Sequence, residues 1–283
     1  MGTPENREAP IRVNFGAGLH TAAGQRVDDS AYYQYIGRWS RLFVPAVLAA
    51  AEVAGGYRVL DVATGPGEAA LVAMSVVKQA GLVIGADISP AMLKAARARL
   101  GNGSFRPVAT DGQALAFRDG SFDAVVCQLG LQFFPDPARG LSEFRRVLRT
   151  GRCTAVCVIS TPDRAPMWGV LADTLSRHLP DQREAFHLSF ALADTERLEH
   201  LLRMAGFRDV RVKREMRQGT IESFDAYWAP IEAGTGQIPQ AYRALPESSR
   251  RAVREEVQAR LAAFEANGQL VMSAEMLIGA GWA

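Results

Sequence analysis

The sequence predicts an α/β fold in which a mostly parallel β-sheet is covered by helices on both faces. Short apolar runs alternate with stretches of helical periodicity between residues 55 and 160. These runs show little polar alternation, which is typical of parallel strands buried on both faces. The first run, residues 59–62, enters a turn that contains Gly65 and Gly67, and a helical stretch follows at once. This order brings backbone N–H groups and a helix N-terminus close to a bound ligand.

Each element has its own signal in the chain. Ser89 followed by Pro90 suits a helix cap and first turn, and Gly101 and Gly151 each follow the last turn of a predicted helix. The predicted strands occupy residues 59–62, 82–87, 104–109, 122–127, 153–159, 210–216 and 269–280. The predicted helices occupy residues 30–53, 69–79, 90–100, 141–148, 195–205, 222–233 and 246–266.

The alternation of strands and helices holds for only part of the chain. We expect a flexible N-terminal arm at residues 1–30, where the composition is polar and rich in glycine and proline. A single domain, residues 31–283, would follow, with its core at residues 55–160. The segments at about 160–195 and 220–265 interrupt the pattern, and we predict that they form helical insertions that act as a substrate lid.

Composition and charge narrow the classes of partner. A net charge of +2 gives no indication of a nucleic-acid partner. No stretch is long and apolar enough for a membrane span, and the N-terminus lacks a signal-peptide pattern, so we expect a cytoplasmic protein. Cys127, Cys153 and Cys157 lie in apolar strand-like runs, which predicts buried thiols and no metal site. The sequence leaves open whether the protein forms a homodimer.

Acidic residues follow three neighbouring strands where each strand ends. Asp61 closes the first strand, Asp87 the second and Asp111 follows the third. Ligands of open α/β sheets bind at this carboxyl edge. Asp87 is suited to accept the hydroxyls of a ribose, and Asp111 is suited to accept from an exocyclic amino group. The set predicts a ligand that contains a nucleoside.

One nucleoside ligand that suits the glycine turn is a dinucleotide. Residues 65–70 (GPGEAA), with Asp87 further along, fit a dinucleotide fingerprint and would indicate an NAD(P)-dependent oxidoreductase. However, Asp61 would repel a pyrophosphate and suits a cationic group such as an ammonium. The chain beyond the fifth strand also lacks a second mononucleotide-binding half.

Several motifs at matching spacing resemble the class I S-adenosylmethionine-dependent methyltransferases. They are residues 59–67 (VLDVATGPG), 85–93 (GADISPAML), 122–127 (FDAVVC), 133–137 (FFPDP) and 143–149 (EFRRVLR). The last two resemble the small-molecule branch that includes the ubiquinone/menaquinone-biosynthesis C-methyltransferases. The resemblance covers residues 31–160. It implies a Rossmann-like sheet of seven strands with an antiparallel edge, S-adenosyl-L-methionine as cofactor, and methyl transfer by in-line displacement. A relative that binds the cofactor without catalysis remains an alternative.

The resemblance also implies which residues bind the cofactor. Arg41 would pair with the cofactor's carboxylate, Tyr32 would form a lid, and Gln128 would stand near the sulfonium. The implied cofactor-binding set is Tyr32, Arg41, Ala63, Gly65, Gly67, Asp87, Ile88, Met92, Asp111, Gly112, Gln113, Gln128 and Leu129. No catalytic residue and no metal are implied, and Gln132 stands where many relatives carry histidine.

The methyl acceptor is predicted from the insertions, which are rich in aromatic residues. We expect a small hydrophobic or flat acceptor of the quinone, polyketide, terpenoid or phenol type, bound beside Met167, Trp168, Phe186, Phe190, Phe224, Tyr227 and Trp228. The same residues would equally serve only to pack the insertions onto the sheet. Candidate general bases are His20, His178 and His187, for which a surface or structural role is the simpler interpretation; His200 is expected to be structural.

Overall fold

The structure is a computed structural model that describes residues 32–101, 103–234 and 237–283. A mixed β-sheet forms the centre of this part of the chain, and helices cover both faces of the sheet. The predicted arm at residues 1–30 and the candidate base His20 lie outside the described residues.

The sheet confirms the predicted α/β class and its antiparallel edge. Its order is β3-β2-β1-β4-β5-β8-β6, with the short β7 paired to β8. Strands β1 to β5 run parallel to their neighbours, whereas β8 is antiparallel to both β5 and β6. The strands are β1 (Arg58–Val62), β2 (Leu82–Asp87), β3 (Phe105–Ala109), β4 (Phe122–Gln128), β5 (Leu148–Ile159), β6 (Arg208–Ile221), β7 (Glu265–Ala266) and β8 (Gln269–Trp282).

Four of the described α-helices begin at a side-chain cap. The Ser89 side chain accepts from the N–H of Met92, and Asp136 accepts from the N–H of Arg139 at 3.0 Å. A π-helical turn, Tyr33–Gly37, leads into the first α-helix. The α-helices are α1 (Arg38–Ala50), α2 (Glu68–Val77), α3 (Pro90–Leu100), α4 (Pro137–Val147), α5 (Pro166–His178), α6 (Arg183–His187), α7 (Thr195–Met204), α8 (Phe224–Glu232), α9 (Gln237–Ala244) and α10 (Glu247–Leu261).

Two apolar cores lie on the two faces of the sheet. Alternate residues of one strand point to opposite faces, so Val59 belongs to one core and its neighbour Leu60 to the other. Helices α1, α2 and the insertion helices cover the first face, and α4 and α7 cover the second. Cys127, Cys153 and Cys157 are buried free thiols, as predicted. Burial raises the pKa of Cys153 to about 12, so this thiol stays protonated near neutral pH.

The chain beyond residue 160 completes the sheet and adds one unpredicted helix. Its long strands β6 and β8 form the antiparallel edge that the sequence predicted. It also contains α9, which the sequence analysis did not predict. Pro239 lies in the first turn of α9, where a proline removes no intrahelical hydrogen bond. Among the described residues, no helix has both the length and the apolar character that a bilayer span requires.

Candidate functional site

The turn after β1 holds its backbone in left-handed conformations. Ala63 has a φ of 55°, Gly65 of 54° and Gly67 of 87°. A Cβ on Gly67 would lie 2.7 Å from the side chain of Leu100 on α3, so the turn packs against that helix. Left-handed geometry at the non-glycine Ala63 carries strain of the kind found at ligand sites.

Asp87 fixes this turn to the end of β2. Its Oδ2 accepts from the N–H of Gly65 at 2.9 Å, and its Oδ1 accepts from the N–H of Ser89 at 2.8 Å. Burial raises the pKa of Asp87, while the hydrogen bonds from Ser89 and Gly65 act in the opposite direction. Carboxylate oxygens accept more than one hydrogen bond each. Asp87 can therefore hold the turn and still accept from the hydroxyls of a ribose.

Asp61 is a buried carboxylate with one unsatisfied oxygen. Its Oδ2 accepts from the Thr64 hydroxyl at 2.7 Å, whereas its Oδ1 has no hydrogen-bond partner among the described residues. Burial raises the pKa of Asp61 to about 7, and the charge of Asp87 adds to the rise. An adjacent cation would stabilise the ionised form. The environment of Asp61 therefore suits a cationic ligand group, as the sequence predicted.

Tyr32 lies over the glycine turn. Its hydroxyl is 3.7 Å from the position that a Cβ on Gly65 would take. Burial raises the pKa of the Tyr32 phenol, and the charges of Asp87 and Glu68 raise it further. The phenol therefore stays neutral beside two acids. A role for Tyr32 as a lid over the cofactor stays a prediction.

Glu68 is a residue of this site that the sequence analysis did not select. It is the first residue of α2, is buried, and accepts a hydrogen bond from Arg99 of α3. Its Oε2 has no hydrogen-bond partner among the described residues. Its Oε1 would lie 3.2 Å from a Cβ on Gly37, so Glu68 also contacts the π-helical turn. An acid in the first turn of a helix is common, so Glu68 does not stand out in the sequence.

Arg41 remains available to an anionic group. It follows Gly37 by one helical turn and so shares the face of α1 that approaches α2. The side chain is exposed and forms no ion pair with any residue in the described ranges. Its predicted pairing with the cofactor's carboxylate stays a prediction.

The two residues predicted beside the adenine differ in exposure. Ile88 follows Asp87 and is 63% exposed, so its side chain is open to a ligand. Met92 is only 2% exposed, and its backbone N–H donates to the hydroxyl of Ser89. Of the two, Ile88 offers the open apolar surface, and the contact between Met92 and an adenine stays a prediction.

The loop after β3 is attached to the start of α4. Asp111 Oδ1 accepts from the N–H of Gln113 at 2.8 Å, and Gln113 Oε1 accepts from the N–H of Asp136 at 2.7 Å. A Cβ on Gly112 would come within 2.3 Å of the Phe134 ring, so only glycine fits there. The side chain of Gln113 thus positions this loop, while Asp111 stands at the sheet edge as predicted.

The loop after β4 touches the glycine turn. Gln128 Nε2 donates to the backbone oxygen of Ser40 at 3.2 Å, and Gln128 Oε1 has no partner among the described residues. Leu129 has a left-handed φ of 55°. A Cβ on Gly130 would lie 2.4 Å from the Cβ of Ala63. The structure therefore brings Gln128 and Leu129 beside the turn after β1.

The aromatic residues of the insertions are packed into the protein core. Trp168, Phe186, Tyr227 and Trp228 are at most 3% exposed and belong to the core on the α1 face. The Tyr227 hydroxyl donates to the backbone oxygen of Met167 at 2.8 Å. Of the two interpretations of these residues, packing of the insertions onto the sheet is the one that the structure shows.

The histidines of the described chain are held by carboxylates or lie at the surface. His178 Nε2 lies 3.4 Å from Glu256 Oε2 on α10, and His187 Nε2 lies 3.4 Å from Asp173 Oδ1 on α5. His200 is exposed on α7. These contacts support the structural interpretation of His178 and His187.

The residues at this edge fit S-adenosylmethionine. The unpartnered oxygens of Asp61 and Glu68 are buried acceptors that suit a cationic ligand, and Asp87 suits a ribose. The exposed Ile88 offers a face for a purine ring. Among the described residues, no group of histidine, cysteine or acidic side chains is arranged to hold a metal ion.

Comparison with known proteins identifies methyltransferases as the relatives of this chain. Residues 60–154 match the model of a methyltransferase domain family. The chain is 34% identical over 166 residues to the demethylmenaquinone methyltransferase of Corynebacterium kroppenstedtii. The aligned region covers 55% of this chain and 69% of that relative.

Solved structures match over most of the chain. A Bacillus halodurans protein, whose assignment as a methyltransferase is provisional, superposes with a TM-score of 0.54 at 22% identity, over 84% of this chain and 97% of its own. The phosphoethanolamine N-methyltransferase 2 of Haemonchus contortus, solved with S-adenosylhomocysteine, gives a TM-score of 0.57 at 18% identity. That match covers 96% of this chain and 61% of the Haemonchus chain. At these identities the likeness shows the fold.

Proposed function

This chain belongs to the class I S-adenosylmethionine-dependent methyltransferases, and from that premise we propose that it methylates a small hydrophobic acceptor of the quinone type. The observation that carries the proposal is the match to a demethylmenaquinone methyltransferase over more than two thirds of that relative. Family membership argues against the oxidoreductase that the glycine turn alone would allow.

We propose that the predicted cofactor-binding residues, together with Asp61, each hold one part of the cofactor. Asp61 and the backbone at Ala63, Gly65 and Gly67 would hold the amino-acid end, and Arg41 would pair with its carboxylate. Asp87 would bind the ribose. The adenine would lie among Ile88, Met92, Asp111, Gly112 and Gln113, with Tyr32 covering the cofactor and Gln128 and Leu129 facing the sulfonium.

The protein's own contribution is alignment and exclusion of water. Bound S-adenosylmethionine supplies a methyl group on a positively charged sulfur, which is already activated for displacement. The chain therefore needs no nucleophile, and its task is to hold the acceptor in line and keep the site dry. A general base is required only when the acceptor must lose a proton early. His178 and His187 are engaged with acids on the insertion helices, which does not favour them for that role.

A transfer assay tests the proposed acceptor. The purified protein would be incubated anaerobically with methyl-labelled S-adenosylmethionine and reduced 1,4-naphthoquinone, whose quinone ring has two equivalent unsubstituted positions. We expect a singly methylated naphthoquinone after re-oxidation, identified by mass spectrometry. If the protein binds the cofactor but labels neither this compound nor reduced ubiquinone precursors and simple phenols, the proposed acceptor class is wrong.

A further inference from the structure

We propose that Gln132 is a specificity-determining residue that hydrogen-bonds a hydroxyl group on the acceptor ring. The inference rests on the proposed function, because it names the chemical group by which this site would recognise its acceptor. Gln132 lies in a short 3₁₀ turn, Leu131–Phe133, just past the end of β4.

The first observation is that Gln132 is buried without hydrogen bonds. The residue is 2% exposed, and neither its Oε1 nor its Nε2 has a hydrogen-bond partner among the described residues. Most buried polar side chains in proteins are hydrogen-bonded, so a fully unsatisfied amide requires an explanation. A ligand that supplies the missing partners is such an explanation.

The second observation is where the side chain lies. Leu131 reaches the Gly140 position of α4, with its Cδ1 3.7 Å from a Cβ placed there, and Phe134 also packs against Gly140. Leu131 and Phe134 are three residues apart and therefore lie on the same face of the turn, which packs against the second core. Gln132 lies on a different face. The turn that carries it also packs against β5 and against the insertion turn Leu188–Phe190. Gln132 therefore lies between the sheet edge and the predicted lid.

The third observation is that neighbouring residues of the same loop also have an unsatisfied polar atom or a strained backbone. Gln128, four residues earlier at the end of β4, also has an unpartnered buried amide oxygen. Leu129 between them has a left-handed φ of 55°. Strained backbone and unsatisfied polar atoms on one loop are typical of a binding site rather than of a packing core.

The chemistry of an amide indicates the group that it would bind. A glutamine side chain offers two N–H donors and a carbonyl acceptor, and it does not ionise. A hydroxyl both donates and accepts, so it complements this amide, whereas an ether only accepts and a hydrocarbon does neither. An ether leaves the amide carbonyl without a donor, and a hydrocarbon leaves both amide groups unpaired, so both kinds of ligand bind less tightly. The site should therefore prefer a hydroxylated aromatic ring over its methyl ether.

Calorimetric titrations of the full chain, saturated with S-adenosylhomocysteine, test the proposal without turnover. The probes are 1-naphthol and 1-methoxynaphthalene. We expect the wild-type protein to bind 1-naphthol about tenfold more tightly than the ether. Gln132→Met should bind both equally and keep its affinity for S-adenosylhomocysteine. Gln258→Met, an exposed glutamine on α10, is the matched control and should retain the preference.

Thermal unfolding without ligand distinguishes a ligand-binding role of Gln132 from a role in stabilising the fold. Replacing an unsatisfied buried amide with an apolar side chain should leave the Tm unchanged or raise it. Gln132→Met and Gln132→Leu should therefore both have a Tm at least as high as that of the wild-type protein. A lower Tm in both variants, or an intact preference for 1-naphthol in either, would overturn the proposal and leave the proposed function standing. Wild-type protein that binds S-adenosylhomocysteine but neither probe would overturn both.

Discussion

The backbone N–H of Gly65 donates to Oδ2 of Asp87 over 2.9 Å, and this bond connects the turn after β1 with the end of β2. The two strands are adjacent and parallel, so their carboxyl ends meet at one edge of the sheet. One carboxylate thus shapes the glycine turn and presents its remaining lone pairs to a ligand. Loss of this carboxylate should alter both the turn and the ligand contact.

Replacement of Gly65 by alanine should weaken cofactor binding beyond its cost in stability. Gly65→Ala and Gly56→Ala both place a methyl group on a left-handed glycine, with φ of 54° and 80°, and each should cost about 1 kcal/mol of unfolding free energy. The space around Gly56 is open, whereas the Gly65 methyl would approach the Tyr32 hydroxyl. Denaturation and calorimetry should show equal destabilisation and a loss of S-adenosylhomocysteine affinity only in Gly65→Ala. Equal affinity in both variants would contradict the placement.

Binding of S-adenosylhomocysteine should depend on the ionisation of Asp61. The pKa of Asp61 is about 7, and a bound ammonium would favour the carboxylate and lower that pKa. Affinity should therefore rise with pH and be roughly tenfold weaker at pH 6 than at pH 8. Calorimetry in buffers of different ionisation enthalpy should detect proton release at pH 6. Asp61→Asn should bind weakly with little dependence on pH; a steep dependence in this variant would assign the titration to another group.

Asp61→Asn should also stabilise the protein in the absence of cofactor. The pKa of Asp61 in the folded state lies above its ordinary 3.8, so ionisation removes stability as pH rises through about 7. The gain in unfolding free energy should be small at pH 4 and reach up to roughly 4 kcal/mol at pH 8. Urea unfolding at the two pH values checks this. A destabilised variant at pH 8 would mean that Asp61 is satisfied within the fold.

Removal of Arg41 should affect only ligands that carry a carboxylate. Arg41→Ala should weaken S-adenosylhomocysteine binding about tenfold, because a charge-assisted hydrogen bond is lost. It should leave the affinity for methylthioadenosine unchanged, since that nucleoside lacks the amino-acid part. Arg251→Ala, whose exposed side chain faces Glu247, is the control. Equal losses for both ligands would show that Arg41 acts on the fold and not on the carboxylate.

Replacement of His178 or His187 should leave methyl transfer intact. Each is held 3.4 Å from an acid on a neighbouring insertion helix, so His178→Gln and His187→Gln should lower unfolding free energy by less than about 1 kcal/mol. The transfer assay should give kcat within a few-fold of wild type. A loss of kcat that exceeds a hundredfold in either variant would identify a general base.

The sequence predicted the inner strands better than the outer elements, for a physical reason. Strands β1, β2 and β4 are buried on both faces, so their apolar runs are continuous and their ends are visible. Strand β6 lies at the edge of the sheet, where exposed charged residues obscure its limits. Its length is set by pairing with β8, which is a long-range contact.

The residues of the site also differ in how readily the sequence predicts them. Asp61 and Asp87 stand out because each is an acid at the end of an apolar strand. The importance of Glu68 depends on Arg99, 31 residues further along, and that of Gln132 depends on a missing partner, so neither is readable from local sequence. Tyr227 shows a further limit, because an aromatic side chain suits both a pocket wall and a packed core.

The most direct test of the cofactor site is calorimetric titration of S-adenosylhomocysteine into wild-type protein, Asp87→Ala and the surface control Asp163→Ala. Asp87→Ala loses the acceptor for the Gly65 N–H and for the ribose, and two hydrogen bonds to a charged group correspond to a roughly hundredfold weaker Kd or more. Asp163 is exposed, so its variant should match wild type. If Asp87→Ala binds as tightly as Asp163→Ala, the cofactor does not occupy the edge formed by β1 and β2, and the proposed cofactor site is wrong.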